Sequence, residues 1–452
     1  MTRLNFKESI LIIKLSNALH LILTSILKLI SIKRLNFKLT KKINPLVFKS
    51  EEHMERTVGV ISRGLIAPII NNGDDIATIA TETLLKASKN EQFSIQEGDV
   101  LGITESVVAR SQGNYAKLEA IAKDIKKKFN DEKIGIIFPL LSRNRFAPCL
   151  EGFAQSGNEI VLLLSYPFDE VGNQLVDENK LENSKINPLI DVFTTEAFKE
   201  KFGSYKHRFT GIDYLEYYSS ILKKYNNTSC IILANNPKAI LDYTLNCLTC
   251  DIHTRKHTKK ILKDAGAKKV IGMDEILTSP VDGSGYNQDY GLLGSNKADE
   301  TRLKLFPRDC NKIVEKVQNN ILEKTGKKIE VLIYGDGAFK DPVGKIWELA
   351  DPVVSPAFTQ GLIGVPNEVK LKYLADNDFK NLNKEEQEKQ IAKYITTYQK
   401  EHSSNMGEMV AEGTTPRNIT DLIGSLCDLT SGSGDKGTPF VYIQNYFSKY
   451  GN

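Results

Sequence analysis

Residues 331–352 read VLIYGDGAFKDPVGKIWELADP. A single carboxylate, Asp336, stands between Gly335 and Gly337, directly after Val331 to Tyr334, an apolar run that reads as a strand. Two glycines let the backbone fold tightly around one acid. Asp341, Glu348 and Asp351 follow, with Lys340 and Lys345 between them. Acids gathered just after a strand end are what a site needs to hold a divalent cation against phosphate oxygens. The same residues also suit a solvated, charged turn, and residue types alone leave both readings open.

Two further stretches carry chemistry. Ser431 to Pro439, SGSGDKGTP, can wrap phosphates with backbone N–H groups. It lacks the Gly-x4-Gly-Lys-Ser/Thr order of a P-loop and leads into a strand rather than a helix. Cys247, Cys250, His253 and His257 fall at i, i+3, i+6 and i+10. Two thiolates and two imidazoles can make a tetrahedral zinc site. Their spacing is tighter than in a usual finger, and buried thiols with surface histidines are the favoured reading. No Ser-His-Asp order or dinucleotide fingerprint stands out.

These residues need elements to hold them. Thr57 to Ser62, Gly98 to Thr104, Lys133 to Leu141, Glu159 to Tyr166, Ser229 to Ala234 and Phe440 to Ile443 read as strands. Asp74 or Asp75 caps an amphipathic run to about Lys89, and Thr325-Gly326 closes a helix begun near Asn311. Helical stretches fall near 195–202, 212–224, 383–401 and 418–429. Two arginines flank a turn at Ser142 to Phe146. Residues 281–297 form a long glycine-rich loop of the kind that often carries function. The mixture predicts an α+β fold with mixed sheets and helices.

Length and charge set the frame. A chain of 452 residues, 41% hydrophobic and 26% charged, has ample material for a large core. Six cysteines make no disulfide scaffold, so a cytoplasmic location is expected. Residues 1–50 hold ten Lys/Arg against one acid, Glu8, which leaves 50 basic and 55 acidic side chains for the rest. That main body carries no basic footprint for nucleic acid. Residues 1–53 are a basic, apolar leader. A targeting segment, an interfacial helix and a translation start at Met54 all suit it; the composition change at Met54 favours the last, and the segment is set aside from the fold. No firm membrane partner follows from it.

Taken in order, several segments resemble the coenzyme F-420 gamma-glutamyl ligase family. Gly64-Leu65 through Pro68 to Gly73-Asp74-Asp75 is similar to that family's opening nucleotide loop. Gly98-Asp99-Val100 and Val107 to Gly113 are similar to its strand and following basic loop, with Arg110 where a nucleotide-binding lysine is usual. Tyr290 to Asn296, the strand before Asp336, and Gly432 to Pro439 resemble its metal and closing nucleotide segments. The likeness covers about 54–115 and 281–445. It implies a discontinuous ligase region, 54–139 and 271–445, interrupted by an insertion over 140–270.

The resemblance implies GTP as co-substrate, Mg2+ or Mn2+, L-glutamate, an acceptor with a carboxylate, and a homodimer. The implied acceptor is a coenzyme F-420 precursor, with a folate as the alternative. Asp336 and Arg110 are the implied catalytic residues. Ala67, Pro68, Ile69, Ile70, Arg110, Asn296 and the run Gly432, Ser433, Gly434, Asp435, Lys436, Gly437 are the implied nucleotide contacts. Leu293 falls where the first metal aspartate is usual, so Asp289 or Asp282 must join Asp336 as metal ligands. Glu105 stands where a nucleotide-contacting serine is usual, and Gly337 and Ser433 also depart from the usual ligands, which keeps a noncatalytic nucleotide-binding protein as the reading from another class.

Overall fold

Alternating apolar strands fix the two main sheets, because successive side chains point to opposite faces and both faces are covered. The computed structural model describes residues 57–170, 172–208, 210–252, 254–335, 338–340, 347–349, 354–364, 369–401, 418–431 and 437–448. Residues 58–452 form one compact unit. The first half of the chain order is β1 (Ile61–Leu65), α1 (Ile76–Asn90), β2 (Val100–Thr104), α2 (Glu105–Ser111), β3 (Tyr115–Lys117), α3 (Leu118–Phe129), β4 (Ile134–Ile137), α4 (Phe146–Ala154) and β5 (Ile160–Leu164). It continues through α5 (Glu178–Asn183), β6 (Phe193–Thr194), α6 (Thr195–Phe202), α7 (Tyr214–Tyr225), β7 (Cys230–Leu233), β8 (Asn246–Thr249), α8 (Arg255–Asp264) and β9 (Lys269–Gly272). The last part holds β10 (Asn296–Lys297), β11 (Arg302–Lys304), α9 (Cys310–Thr325), β12 (Glu330–Gly335), β13 (Ala338–Lys340), β14 (Trp347–Leu349), β15 (Val354–Phe358), α10 (Lys384–Glu401), α11 (Ile419–Ser431) and β16 (Phe440–Gln444). The fold class is α+β, with mixed sheets.

The first sheet has the order β1-β16-β2-β12-β15. Only β2 and β12 run parallel, Thr104 opposite Tyr334, so both chains leave the sheet at the same edge. Leu101, Ile103, Val331, Ile333, Phe440 and Tyr442 face α1 and α9. The intervening Val100, Leu332, Tyr334, Val441 and Ile443 face Ile423 and Cys427 of α11. Each such side chain, fully buried, contributes roughly 1.5–3 kcal/mol. Gly102 permits the close approach of α11: a Cβ there would lie 2.4 Å from the Cys427 sulfur. Asp75 caps α1 by accepting from the amides of Ala77 and Thr78, and Gly326 ends α9 in the left-handed conformation, φ 68°.

The second sheet has the order β6-β7-β5-β4-β8-β9 and is parallel apart from β6. One face packs on Ile121, Phe153 and Tyr218 of α3, α4 and α7, the other on Ile240 and Leu262. It occupies residues 134–272, so its strand β4 lies before residue 140, where the sequence reading begins the insertion. β10, β11 and β3 form a small antiparallel sheet.

Two expectations need correction, and one element carries no sequence expectation. The first strand is Ile61–Leu65, not Thr57 to Ser62, because its partner β16 supplies ladder positions only from Gln444 opposite Ile61. The basic segment after β2 is a helix, α2, rather than a loop. Residues 146–154, which carried no reading beyond the turn before them, form α4.

Candidate functional site

The parallel pair β2 and β12 ends at a cleft of about 640 Å³. Thr104 and Gly335, the last residues of the two strands, line it together with Glu105, Arg110, Arg145, Asn296, Lys297, Arg302, Lys304 and Asp428. Five cations and two carboxylates line it, an excess of positive charge that suits polyanions. The cation-rich wall comes from three places: α2, the turn before α4, and the β10–β11 hairpin.

Glu105 is held on several sides. It is buried, and one carboxylate oxygen accepts from the Lys304 ammonium in a buried ion pair. Its other oxygen, Oε2, is buried with no hydrogen-bond partner among the described residues. Gly335 makes room for it: a Cβ on Gly335 would lie 2.0 Å from the Glu105 Cγ. Asp428, from the last turn of α11, has its carboxyl pushed up to about 6 by burial, against the opposing pull of Arg145.

The Arg110 guanidinium donates to the Ile70 carbonyl. The Ala67 amide donates to the Gly437 carbonyl at 3.0 Å. The opening and closing loops expected to hold nucleotide are therefore joined to each other and to Arg110. Pro68 and Ile69 are exposed and Ile70 is buried. Asn296 faces the cleft from β10, where it pairs with Lys304. Lys297 and Arg302 are held by exposed acids, Glu300 at 2.7 Å and Asp299 at 2.7 Å.

Other expected residues fall elsewhere. Asp336, and the run from Gly432 to Lys436 including Ser433, Gly434 and Asp435, lie outside the described residues. Asp282 and Asp289 do not line the cationic cleft. Asp282 is exposed and paired with Lys123, and Asp289 lines a different, largely apolar cavity together with Leu293. Among the described residues no cluster of three or more His, Cys, Asp or Glu is arranged to hold a metal. Cys247 and Cys250 sit at the end of β8 with buried thiols, Cys247 pushed up to about 12 by burial, while His257 is exposed on α8. The two cysteines thus belong to a strand and its end, and His257 to the helix that follows. His253 lies outside the described residues.

Arg145, Lys304 and Asp428 were missed as site residues from sequence, and Glu105 stood out only as a departure at a nucleotide-contacting serine position. Arg145 had a signal, two arginines beside a turn after an apolar strand. Lys304 and Asp428 had none, since each comes to the cleft only through sheet pairing or helix packing. Among the described residues no helix is long and apolar enough to cross a membrane.

A family model described as F420-0:Gamma-glutamyl ligase matches residues 64–445. No curated protein matches the chain.

Proposed function

Because the chain belongs to the F420-0:gamma-glutamyl ligase family, we propose that it uses a nucleoside triphosphate, GTP, to join L-glutamate to the carboxylate of a coenzyme F-420 precursor-like acceptor. The observation that carries this reading is the cationic cleft at the ends of β2 and β12, with the buried Glu105 at its floor. The acceptor carboxylate attacks the γ-phosphorus, the bond to the bridging oxygen breaks, and nucleoside diphosphate leaves. The amine of glutamate then attacks the acyl phosphate carbon, phosphate departs, and an amide remains. Such transfer depends on positioning and charge neutralisation more than on covalent help.

The chain's residues divide this work. Arg110, Lys297 and Arg302 offset phosphate charge at the cleft wall. Asn296, Ala67 to Ile70 and the 432–437 loop hold the nucleotide through polar and backbone groups. Asp428, raised by its burial to about 6, accepts a proton from the glutamate ammonium before attack. The orphaned Glu105 oxygen suits Mg2+ or Mn2+, hard cations that take carboxylate oxygens, so Glu105 and Asp336 would hold the ion. When bound, it would neutralise phosphate oxygens.

The test is transfer of labelled glutamate by the purified protein with GTP or ATP, Mn2+ and either a coenzyme F-420 precursor or a folate. Nucleotide- and acceptor-dependent incorporation supports the reading. A folate as the better acceptor would select the alternative substrate, and nucleotide binding without turnover with either acceptor would reject the ligase.

A further inference from the structure

A second cavity, about 480 Å³, lies at the C-terminal edge of the parallel sheet. Leu140 follows β4, Ile252 follows β8 and Met273 follows β9, and all three line it. In open parallel sheets this edge is where ligands sit. The lining is mainly apolar, and Tyr290 and Phe306, their ring centroids 5.1 Å apart at 31°, give it an aromatic wall. Polar groups stand among these: Ser295, Asp289, Lys256, and Arg255 in an ion pair with Asp274 at 3.0 Å. A mostly apolar cavity with a few polar groups, inside the roughly 300–1,000 Å³ range of small-molecule sites, is built for a ring system with heteroatoms at its edge.

The cavity is continuous in its lining with the cationic cleft. Arg145, itself buried, lines both. The 292–298 segment passes from one to the other: Leu292 to Ser295 face the apolar cavity, and Asn296 to Ala298 face the cleft. The loops joined through Ala67, Ile70 and Arg110 adjoin the cleft, at Asn71 and Asn72, and do not line the apolar cavity, so the nucleotide has its own side.

The geometry points to this cavity as the seat of the acceptor's planar fused heteroaromatic ring, with the acceptor's acidic tail passing Arg145 to bring its carboxylate into the cleft. This rests on the ligase reading above for the identity of the tail's reaction, but the pocket itself can be tested apart from turnover. Leu293 and Ile252 are partly exposed wall residues whose enlargement fills the cavity without cutting into the core.

The experiment titrates the full-length protein, without nucleotide, with two fluorescent probes: pteroate, and a 5-deazaflavin with a carboxylate-ended side chain. A fluorescent GTP analogue is titrated separately. Saturable binding of at least one ring probe is expected. Leu293→Trp and Ile252→Trp should each weaken it by about tenfold or more, with GTP-analogue binding unchanged, which also shows that both variants are folded. The proposal is overturned if the wild type binds neither probe, if both variants bind as the wild type does, or if they lose the GTP analogue instead, which would place the nucleobase there. Ring binding blocked by tryptophan without glutamate transfer keeps the pocket and rejects the ligase. Glutamate transfer with an unchanged KM for acceptor in both variants keeps the ligase and rejects the pocket.

Discussion

Asp428 and Glu105 are the residues whose surroundings say most about the cleft. The Asp428 carboxyl is raised from 3.8 to about 6, first by burial, with Arg145 opposing. A carboxyl whose pKa rises on folding stabilises the fold fully below its unfolded value, and that contribution is lost as pH rises through about 6. Wild type should therefore be more stable to urea near pH 4 than Asp428→Asn by comparison with their difference at pH 7.5, by no more than about 2 kcal/mol for this partly exposed group. Activity should run the other way. The acidic limb of kcat near pH 6 should be present in wild type and absent from Asp428→Asn, whose residual rate is low; an unchanged limb would remove Asp428 from the proton transfer. The Glu105–Lys304 pair gives a second prediction. Lys304→Met leaves a buried carboxylate without its cation and should cost roughly 3–5 kcal/mol in urea unfolding, and a loss below about 1 kcal/mol would mean the pair is solvated. At this scale the sequence was partly legible. The family likeness pointed to Arg110 and set Glu105 where a nucleotide-contacting serine is usual, but the burial and the Lys304 partner of Glu105 have no local signal.

Among the elements, α11 sets where Asp428 stands, and Gly102 sets where α11 stands. A Cβ at residue 102 would meet the Cys427 sulfur at 2.4 Å and the Tyr334 ring carbon at 3.3 Å. Gly102→Ala should thus destabilise by about 1–3 kcal/mol and lower glutamate transfer by displacing Asp428. Adding Cys427→Ala should restore much of both, because it removes the atom in the way; no rescue would show that strand rather than helix absorbs the change. The strands and long helices could be read from sequence because their signals are local. Apolar runs marked β2, β5, β12 and β16, Asp75 marked the start of α1, and Gly326 marked the end of α9. The pairing of β2 with β12 across more than two hundred residues has no local signal, and it is this parallel pair that places Glu105 beside Gly335. The short helix α2 was hidden for a related reason: its buried face is decided by packing on β12 and β11 rather than by its own seven residues.

The whole molecule sets an acidic body around a basic cleft. Beyond residue 50 the chain carries 50 basic and 55 acidic side chains, yet Arg110, Arg145, Lys297, Arg302 and Lys304 gather on one cavity. Several of these are rim groups whose attraction for phosphate is screened by salt. GTP affinity should fall several-fold between roughly 0.05 and 0.5 M NaCl, measured by titration of a fluorescent analogue, and an affinity indifferent to salt would place the phosphates elsewhere. The family likeness pointed to this assembly through the order of its segments. It did not show that the middle of the chain builds a parallel sheet whose edge supplies a second cavity. Transfer of oxygen-18 is the sharpest test of amide formation through an acyl phosphate. The acceptor carboxylate is labelled, the full-length protein is supplied with GTP, Mn2+ and L-glutamate, and released phosphate is weighed by mass spectrometry. Glutamyl product together with phosphate carrying one oxygen-18 from the acceptor is expected; product with unlabelled phosphate, or GTP bound with no product at all, would rule the acyl phosphate out.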